Sequence, residues 1–237
     1  MGHNYRQVRD VLRAVRTDPT HRVRADLDQC PATVATVLRR LDILGRRPSD
    51  ILVLGDDDLL GLALASTGAR RRIVVLDADP LLLARIRRCA PPDALEFVVR
   101  DLRQGLPRAL HQRFDEVFTD PPYTLAGQLF FVHSALTALR SGVGASLYVC
   151  ASRAYMTARN LALVRRFLQR AGFELERADP GFSRYKAPPD VRRDLKAAGR
   201  QSTAWLESDL FHYARHRVAP VPTIPRRLKD AIYEYQT

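Results

Sequence analysis

The sequence predicts an α/β fold: a mostly parallel sheet with helices on both faces and an antiparallel edge. Five short apolar runs carry this reading, Ile51–Leu54, Ile73–Leu76, Phe97–Val99, Val117–Phe118 and Ala145–Cys150. They are continuous rather than alternating, the pattern of strands buried on both sides. Helical stretches fill the gaps, over Leu59–Ser66, Pro80–Arg88, Leu125–Leu139 and Ala154–Ala171. Strands alternating with helices in this way pair in parallel through crossover connections. A third observation locates the chemistry. Asp56, Asp77, Asp101 and Asp120 each follow one of the first four runs, and open α/β sheets bind ligands beyond the carboxyl ends of their strands.

Before the sheet, residues 1–50 read as a helical, polar extension. Pro31 opens a helix through Thr33, Val34, Val37, Leu38, Leu41 and Leu44; Gly45 ends it and Pro48 blocks its continuation. This segment is too short for a core of its own and is expected to cover an edge or face of the domain after it. Residues 51–215 are expected to form the main, Rossmann-like domain. Within it Phe173–Arg177 and Asp209–Tyr213 are candidate strands near the antiparallel edge. Residues 216–237, with Pro220, Pro222 and Pro225, form a C-terminal tail.

Composition excludes several classes. Hydrophobic residues make up 46% of the 237 and charged residues 27%, which argues against a fibrous or extensively disordered chain. No apolar run approaches the roughly 18 residues of a membrane span, and the basic N-terminus lacks the apolar segment of a secretory signal; a cytoplasmic location follows, with no membrane partner. The net charge of +12 invites a nucleic-acid reading, but 35 of the 38 cations are arginines and only Lys186, Lys196 and Lys229 are lysines. That skew fits a basic but unspecialised surface, and nucleic acid is not the expected partner. Cys30, Cys89 and Cys150 make neither a CxxC pair nor zinc spacing. The histidines, His3, His21, His111, His133, His212 and His216, form no ligand cluster on one element; no metal is expected.

The acids themselves point to a cationic ligand. Gly55-Asp56-Asp57-Asp58 is neither GxGxxG nor a Walker A loop. One acid there would cap the following helix; three go beyond capping. Asp77 is positioned for a ribose diol, while Asp79-Pro80 starts the next helix. Asp101 is a candidate acceptor for an adenine amino group. In Thr119-Asp120-Pro121-Pro122-Tyr123 two prolines remove two backbone donors and restrict the turn. A carboxylate and carbonyls held there suit an attacking amine, and Tyr123 adds a ring that packs on a cation or a base.

This order of glycine turn, ribose-type Asp, adenine-side Asp and Asp-Pro-Pro-Tyr resembles the Rossmann-like class I S-adenosylmethionine-dependent methyltransferase fold. Leu54–Leu59 and Thr119–Thr124 resemble more specifically the branched-chain polyamine synthases, the bis(aminopropyl)spermidine synthases. Looser similarities lie in Asp28-Gln29 with Pro31-Ala32-Thr33, in Pro180-Gly181-Phe182 with Tyr185, and in Glu207-Ser208-Asp209-Leu210-Phe211. The resemblance covers roughly residues 26 to 215. Members of the family carry an N-terminal winged-helix-like domain, of which this sequence holds almost none.

The resemblance implies transfer of an aminopropyl group from decarboxylated S-adenosylmethionine, the co-substrate, to an amine nitrogen of a polyamine, releasing methylthioadenosine. It implies Asp120 as catalytic acid/base with Tyr123 beside it, and Gly55, Asp56, Asp57, Asp77 and Asp101 around the co-substrate. Asp58, Pro121, Pro122, Tyr185, Glu207 and Asp209 would line the polyamine site, Tyr185 from a loop. Three carboxylates near the amino-acid end would repel the carboxylate of intact S-adenosylmethionine, so an acidic cleft is expected in a basic protein. The competing readings are an S-adenosylmethionine-dependent N-methyltransferase acting on a nucleobase or small amine, and a non-catalytic binder. A homodimer is the candidate assembly. Trp205 is expected to anchor its segment apolarly, and His212 to pack rather than touch substrate.

Overall fold

The structure, a computed structural model, describes residues 5–17, 24–27, 29–44, 49–68, 71–186, 193, 204–228 and 230–234. Gly45, Pro48, Asp28, Lys196, Lys229, His3 and His21, named above, lie outside the described residues. Two helices come first, α1 (Tyr5–Arg16) and α2 (Val34–Leu44). The alternating unit follows: β1 (Ile51–Leu54), α3 (Leu60–Ala65), β2 (Ile73–Asp77), α4 (Pro80–Cys89), β3 (Glu96–Val99), β4 (Glu116–Thr119), α5 (Leu125–Ala138), β5 (Ser146–Ala151), α6 (Ala158–Arg170), β6 (Phe173–Lys186) and β7 (Trp205–Arg215).

The seven strands lie in the order β3-β2-β1-β4-β5-β7-β6. The first five are parallel, and β7 pairs antiparallel with both β5 and β6. The chain steps outward from β1 in one direction through β2 and β3, then returns to place β4 on the other side of β1. A crevice opens at such a reversal, beyond the carboxyl ends of β1 and β4. The turns Gly55–Asp58 and Asp120–Tyr123 leave from those two ends.

The apolar runs divide between two layers. Ile51, Val53, Val75 and Phe118 pack under α1, α2, α3 and α4. Leu52, Leu54, Val74 and Val117 pack under α5 and α6. Continuous apolar strands are what a sheet with two covered faces requires. The N-terminal segment covers a face as expected: Val8, Leu12 and Val15 of α1 and Val37, Leu41 and Leu44 of α2 belong to the first layer.

Three expectations are adjusted. The β6 and β7 strands run to 14 and 11 residues, far beyond the five-residue runs read from the sequence. An irregularity between Asp179 and Ser183 lets β6 carry Pro180-Gly181 without ending, as bulges do. Helix α6 starts at Ala158 rather than Ala154, because Ser152 closes a turn to Met156 and Thr157 caps the helix through Asn160 N at 3.1 Å. Trp205 is 39% exposed, with the Arg184 guanidinium 4.7 Å above its ring; it does not anchor the segment apolarly. His212 packs as expected, stacked on Tyr148 with centroids 4.4 Å apart.

Candidate active site

The turn after β1 begins with Gly55 at φ +73°, where a side chain would be strained. Four residues later Leu59 adopts φ 66° and ψ 30°, rare for a bulky residue and characteristic of segments held for function. Between them the three aspartates take three different partners. Asp56 accepts from Leu60 N at 2.6 Å and Gly61 N at 3.0 Å, capping α3 with its own carboxylate. Asp57 accepts from Cys30 N at 2.8 Å and is half-buried. Asp58 accepts from Ala32 N and pairs with Arg40 of α2. The sequence expectation that all three face a cationic ligand is therefore corrected. Asp56 is 1% and Asp58 3% exposed, their carboxyl groups engaged by a helix terminus and an arginine, which leaves Asp57 the least buried acid of the turn.

Asp77, at the end of β2, accepts from Asp56 N at 2.9 Å and from Asp79 N at 2.8 Å. Both bonds fix the carboxylate, which keeps further acceptor capacity for a diol. Burial raises its proton affinity against those two backbone donors. Asp79 caps α4 through Leu81 N and Leu82 N. Asp101, after β3, is held by Arg103 N at 2.8 Å and by the Arg103 guanidinium at 2.7 Å, at the outer end of the same row of strand termini.

Asp120 follows β4 and its side chain is 10% exposed. Its Oδ1 accepts from the Tyr123 hydroxyl at 2.8 Å. Its Oδ2 accepts from the Tyr185 hydroxyl at 2.5 Å and from Arg40 Nη2 at 2.7 Å. Tyr185 lies on β6, not in a loop, with Ser208 of β7 2.9 Å from its oxygen. Burial pushes the Asp120 carboxyl above its ordinary value; Arg40 opposes this most, ahead of the two tyrosine donors. Pro121 and Pro122 are buried beneath the turn. Thr124 caps α5 through Gly127 N and donates to the carbonyl of Ile232 at 2.6 Å, so the C-terminal tail is tied to the Asp-Pro-Pro-Tyr turn.

Arg40 was missed in the sequence. Its side chain is fully buried between Asp58 and Asp120, with its guanidinium 4.8 Å from the Phe118 ring centroid. Burial works against its charge, but Asp58, then Cys150, Tyr185 and Asp120, outweigh it and hold its pKa well above the ordinary value. A signal existed: Thr33, Val37, Arg40 and Leu44 fall on one helical stripe, so a cation sits on the buried face of α2.

Glu207 and Asp209 are corrected. On a strand alternate residues point to opposite faces, and Ser208, which meets Tyr185, lies between them. Glu207 and Asp209 therefore leave by the other face. Asp209 accepts from Gly181 N at 2.9 Å and pairs with Arg153 at 2.6 Å, while Glu207 is exposed. Among the described residues no group of three or more His, Cys, Asp or Glu is placed to hold a metal ion, and no helix is long and apolar enough to cross a membrane.

A Rossmann-like sheet with acids at its strand ends and Asp-Pro-Pro-Tyr at its switch point defines a class, the proteins of the class I methyltransferase-like fold. An S-adenosylmethionine dependent methyltransferase from Mesorhizobium loti shares the fold, with a TM-score of 0.52 at 15% identity over 76% of this chain and 98% of that one. Within the class the chain belongs to the branched-chain polyamine synthase family: the model for the branched-chain polyamine synthase A C-terminal domain matches residues 8–213. The N(4)-bis(aminopropyl)spermidine synthase of Thermus thermophilus is 38% identical over 170 residues, 68% of this chain and 48% of that protein. Its namesake from Thermococcus kodakarensis is 34% identical over 140 residues, 56% of this chain and 38% of that protein. A crystal structure of the Thermus thermophilus branched-chain polyamine synthase, in complex with N4-aminopropylspermidine and 5'-methylthioadenosine, aligns with a TM-score of 0.81 and 30% identity. It covers 91% of this chain and 65% of that one. The chain spans about half the length of the Thermus thermophilus relative (48%).

Proposed function

We propose that this chain transfers an aminopropyl group from decarboxylated S-adenosylmethionine to an amine nitrogen of a polyamine, releasing methylthioadenosine. The observation that carries the reading is Asp120, a buried carboxylate at the switch point, clamped by Tyr123, Tyr185 and Arg40. The polyamine nitrogen attacks the methylene carbon beside the sulfonium. A C–N bond forms, the C–S bond breaks with its electron pair on sulfur, and the nitrogen loses a proton. Asp120 Oδ1 carries one hydrogen bond and keeps acceptor capacity for an amine N–H. Burial raises its affinity for the released proton.

The strand-end residues suit the nucleoside: Asp77 for the ribose diol, Asp101 on the adenine side. Choice of the decarboxylated form rests on Asp57. Burial, then Asp58 and Asp120, push the Asp57 carboxyl well up, so a bound ammonium relieves this crowding and a carboxylate aggravates it. The reaction uses no metal. Cys30, Cys89 and Cys150 form no disulfide with one another, which suits a cytoplasmic setting, and a homodimer is the assembly to test by sedimentation.

A product-mass assay with both forms of the co-substrate across a polyamine panel tests the reading. Aminopropylated polyamine together with methylthioadenosine is expected. Methylated amine made from intact S-adenosylmethionine would replace it with the N-methyltransferase reading.

A further inference from the structure

Arg40 is the cation that the two acidic turns share. Its Nη1 meets Asp58 and its Nη2 meets Asp120, carboxylates that follow β1 and β4. A plain structural ion pair needs one carboxylate; this guanidinium spans the crevice between two. Nη2 also lies 2.9 Å from Ser183 Oγ and 3.2 Å from the Tyr185 hydroxyl. Asp120 and Ser183, its shorter contacts, take the two Nη2 protons, which leaves the Tyr185 hydroxyl free to donate to Asp120.

We propose that Arg40 is a positioning residue for the transfer reaction: it holds Asp120 ionised and turned so that Oδ1, not Oδ2, meets the amine. This rests on the reading that Asp120 receives the amine. Every element packed around Asp120 brings a group that bears on its charge. Asp57 and Asp58 come from the turn after β1, Tyr123 from its own turn, Cys150 from β5, Ser183 and Tyr185 from β6, and Ser208 from β7. Among these and Arg40, the arginine alone carries positive charge. The two aspartates disfavour a third negative charge, burial disfavours it further, and Arg40 opposes both. With Arg40 and Tyr185 both on Oδ2, the less loaded oxygen is Oδ1.

The test compares wild type, Arg40→Lys, Asp58→Asn and the double variant Arg40→Met with Asp58→Asn. The double variant removes both members of the buried pair, which protects folding better than stranding one of them. Thermal melts verify folding. Carbon-13 NMR of labelled aspartate, assigned with Asp120→Asn, gives the Asp120 titration midpoint without any substrate. In the double variant that midpoint is expected to lie at least about one pH unit above that of Asp58→Asn alone, the comparison that separates loss of the Arg40 charge from loss of the Asp58 charge. The acid limb of the single-turnover rate should move with it. Turnover near neutral pH should fall about 10- to 100-fold, while co-substrate affinity stays close to wild type. Arg40→Lys keeps the charge but lacks the fork; its midpoint should stay near wild type while turnover still falls about tenfold. A folded double variant with the midpoint and acid limb of Asp58→Asn overturns the proposal. Where the double variant does not fold, full turnover at wild-type KM in Arg40→Lys overturns it. If wild type makes no aminopropyl product, the transfer reading falls while the NMR titration still decides the Arg40–Asp120 coupling.

Discussion

Asp120 and Asp57 show how burial shifts ordinary carboxylates, each upward and each against different neighbours. Asp120→Asn keeps size and most hydrogen bonds but removes the anion, so single-turnover product formation should fall by roughly 100-fold or more. The co-substrate binding curve should barely move. Asp77→Ala should do the reverse and weaken co-substrate binding first. Near-wild-type turnover in the Asp120 variant would remove that residue from the chemistry. Asp57 makes a second case. Its folded pKa is raised, so any stability it gives is present below the ordinary carboxylate pKa and is lost as pH rises through the folded value. Its contribution to stability is therefore smaller at pH 8 than near pH 5. Asp57→Asn, which still accepts from Cys30 N, should raise the melting temperature at pH 8 by about 2–4 °C, and by less near pH 5. It should also weaken the preference for the decarboxylated co-substrate in calorimetry. An unchanged melting temperature at both pH values would mean that Asp57 carries no such burden. At this scale Asp120 and Tyr123 were legible because a Pro-Pro turn after a strand is a strong local signal. The partners of Asp56 and Asp58 were not, since both depend on how α3 and α2 dock.

The elements were legible where burial alone defines them. Strands β1, β2, β4 and β5 are buried along their whole length and read as unbroken apolar runs. The long antiparallel pair escaped because it is not apolar throughout: β6 is partly or fully exposed from Glu174 to Gly181, the stretch that holds its Pro-Gly irregularity. Helix α1, rich in arginine, hid its Val8, Leu12 and Val15 stripe in a polar segment. Close approaches between elements were equally invisible, and two glycines make them testable. A Cβ on Gly61 would lie 2.4 Å from Val75 Cγ2 and 2.8 Å from the Asp56 carboxylate. A Cβ on Gly127 would lie 2.8 Å from the Pro122 carbonyl and 2.9 Å from Pro122 Cβ. Alanine ordinarily stabilises a helix interior by about 1 kcal/mol over glycine. Here overpacking, typically about 1–3 kcal/mol, opposes that gain. Gly127→Ala should therefore lower turnover as well as stability, because the backbone it pushes belongs to the Asp-Pro-Pro-Tyr turn, while Gly61→Ala should act mainly on stability. Melting curves alongside turnover separate the two; a Gly127→Ala protein with full activity would show that the turn tolerates the shift.

Across the whole molecule a basic exterior surrounds an acidic site. The net charge is +12, yet Asp56, Asp57, Asp58, Asp77 and Asp120 converge on one end of the sheet, with Arg40 and Arg16 reaching in beside them. Four of these acids, Asp56, Asp57, Asp77 and Asp120, have raised folded pKa values, each chiefly through burial. The sign is the same for each: their contribution to stability is lost as pH climbs from the ordinary carboxylate range through the folded values. Asp101 and Glu96 shift the other way through arginine partners, but they are more exposed, and what they contribute is lost only on acidification below the ordinary carboxylate range. Between about pH 5 and 8 the buried set should dominate over His133, whose pKa is lowered by burial and which therefore takes stability away as pH falls through the ordinary histidine range. The melting temperature of the free protein should therefore rise as pH is lowered from 8 toward 5.5. Spermidine should raise it more at pH 8 than at pH 5.5, because a polycation pairs with the ionised cluster. That ligand effect should shrink in roughly 0.5 M salt only in part, since buried charges are screened less than exposed ones. A short DNA duplex, which meets the arginine-rich exterior, should lose its effect almost entirely under the same salt. A melting temperature that falls steadily from pH 8 to 5.5, with an equal spermidine shift at both ends, would mean that the cluster is already protonated or neutralised and that polycation capture lies elsewhere on the molecule.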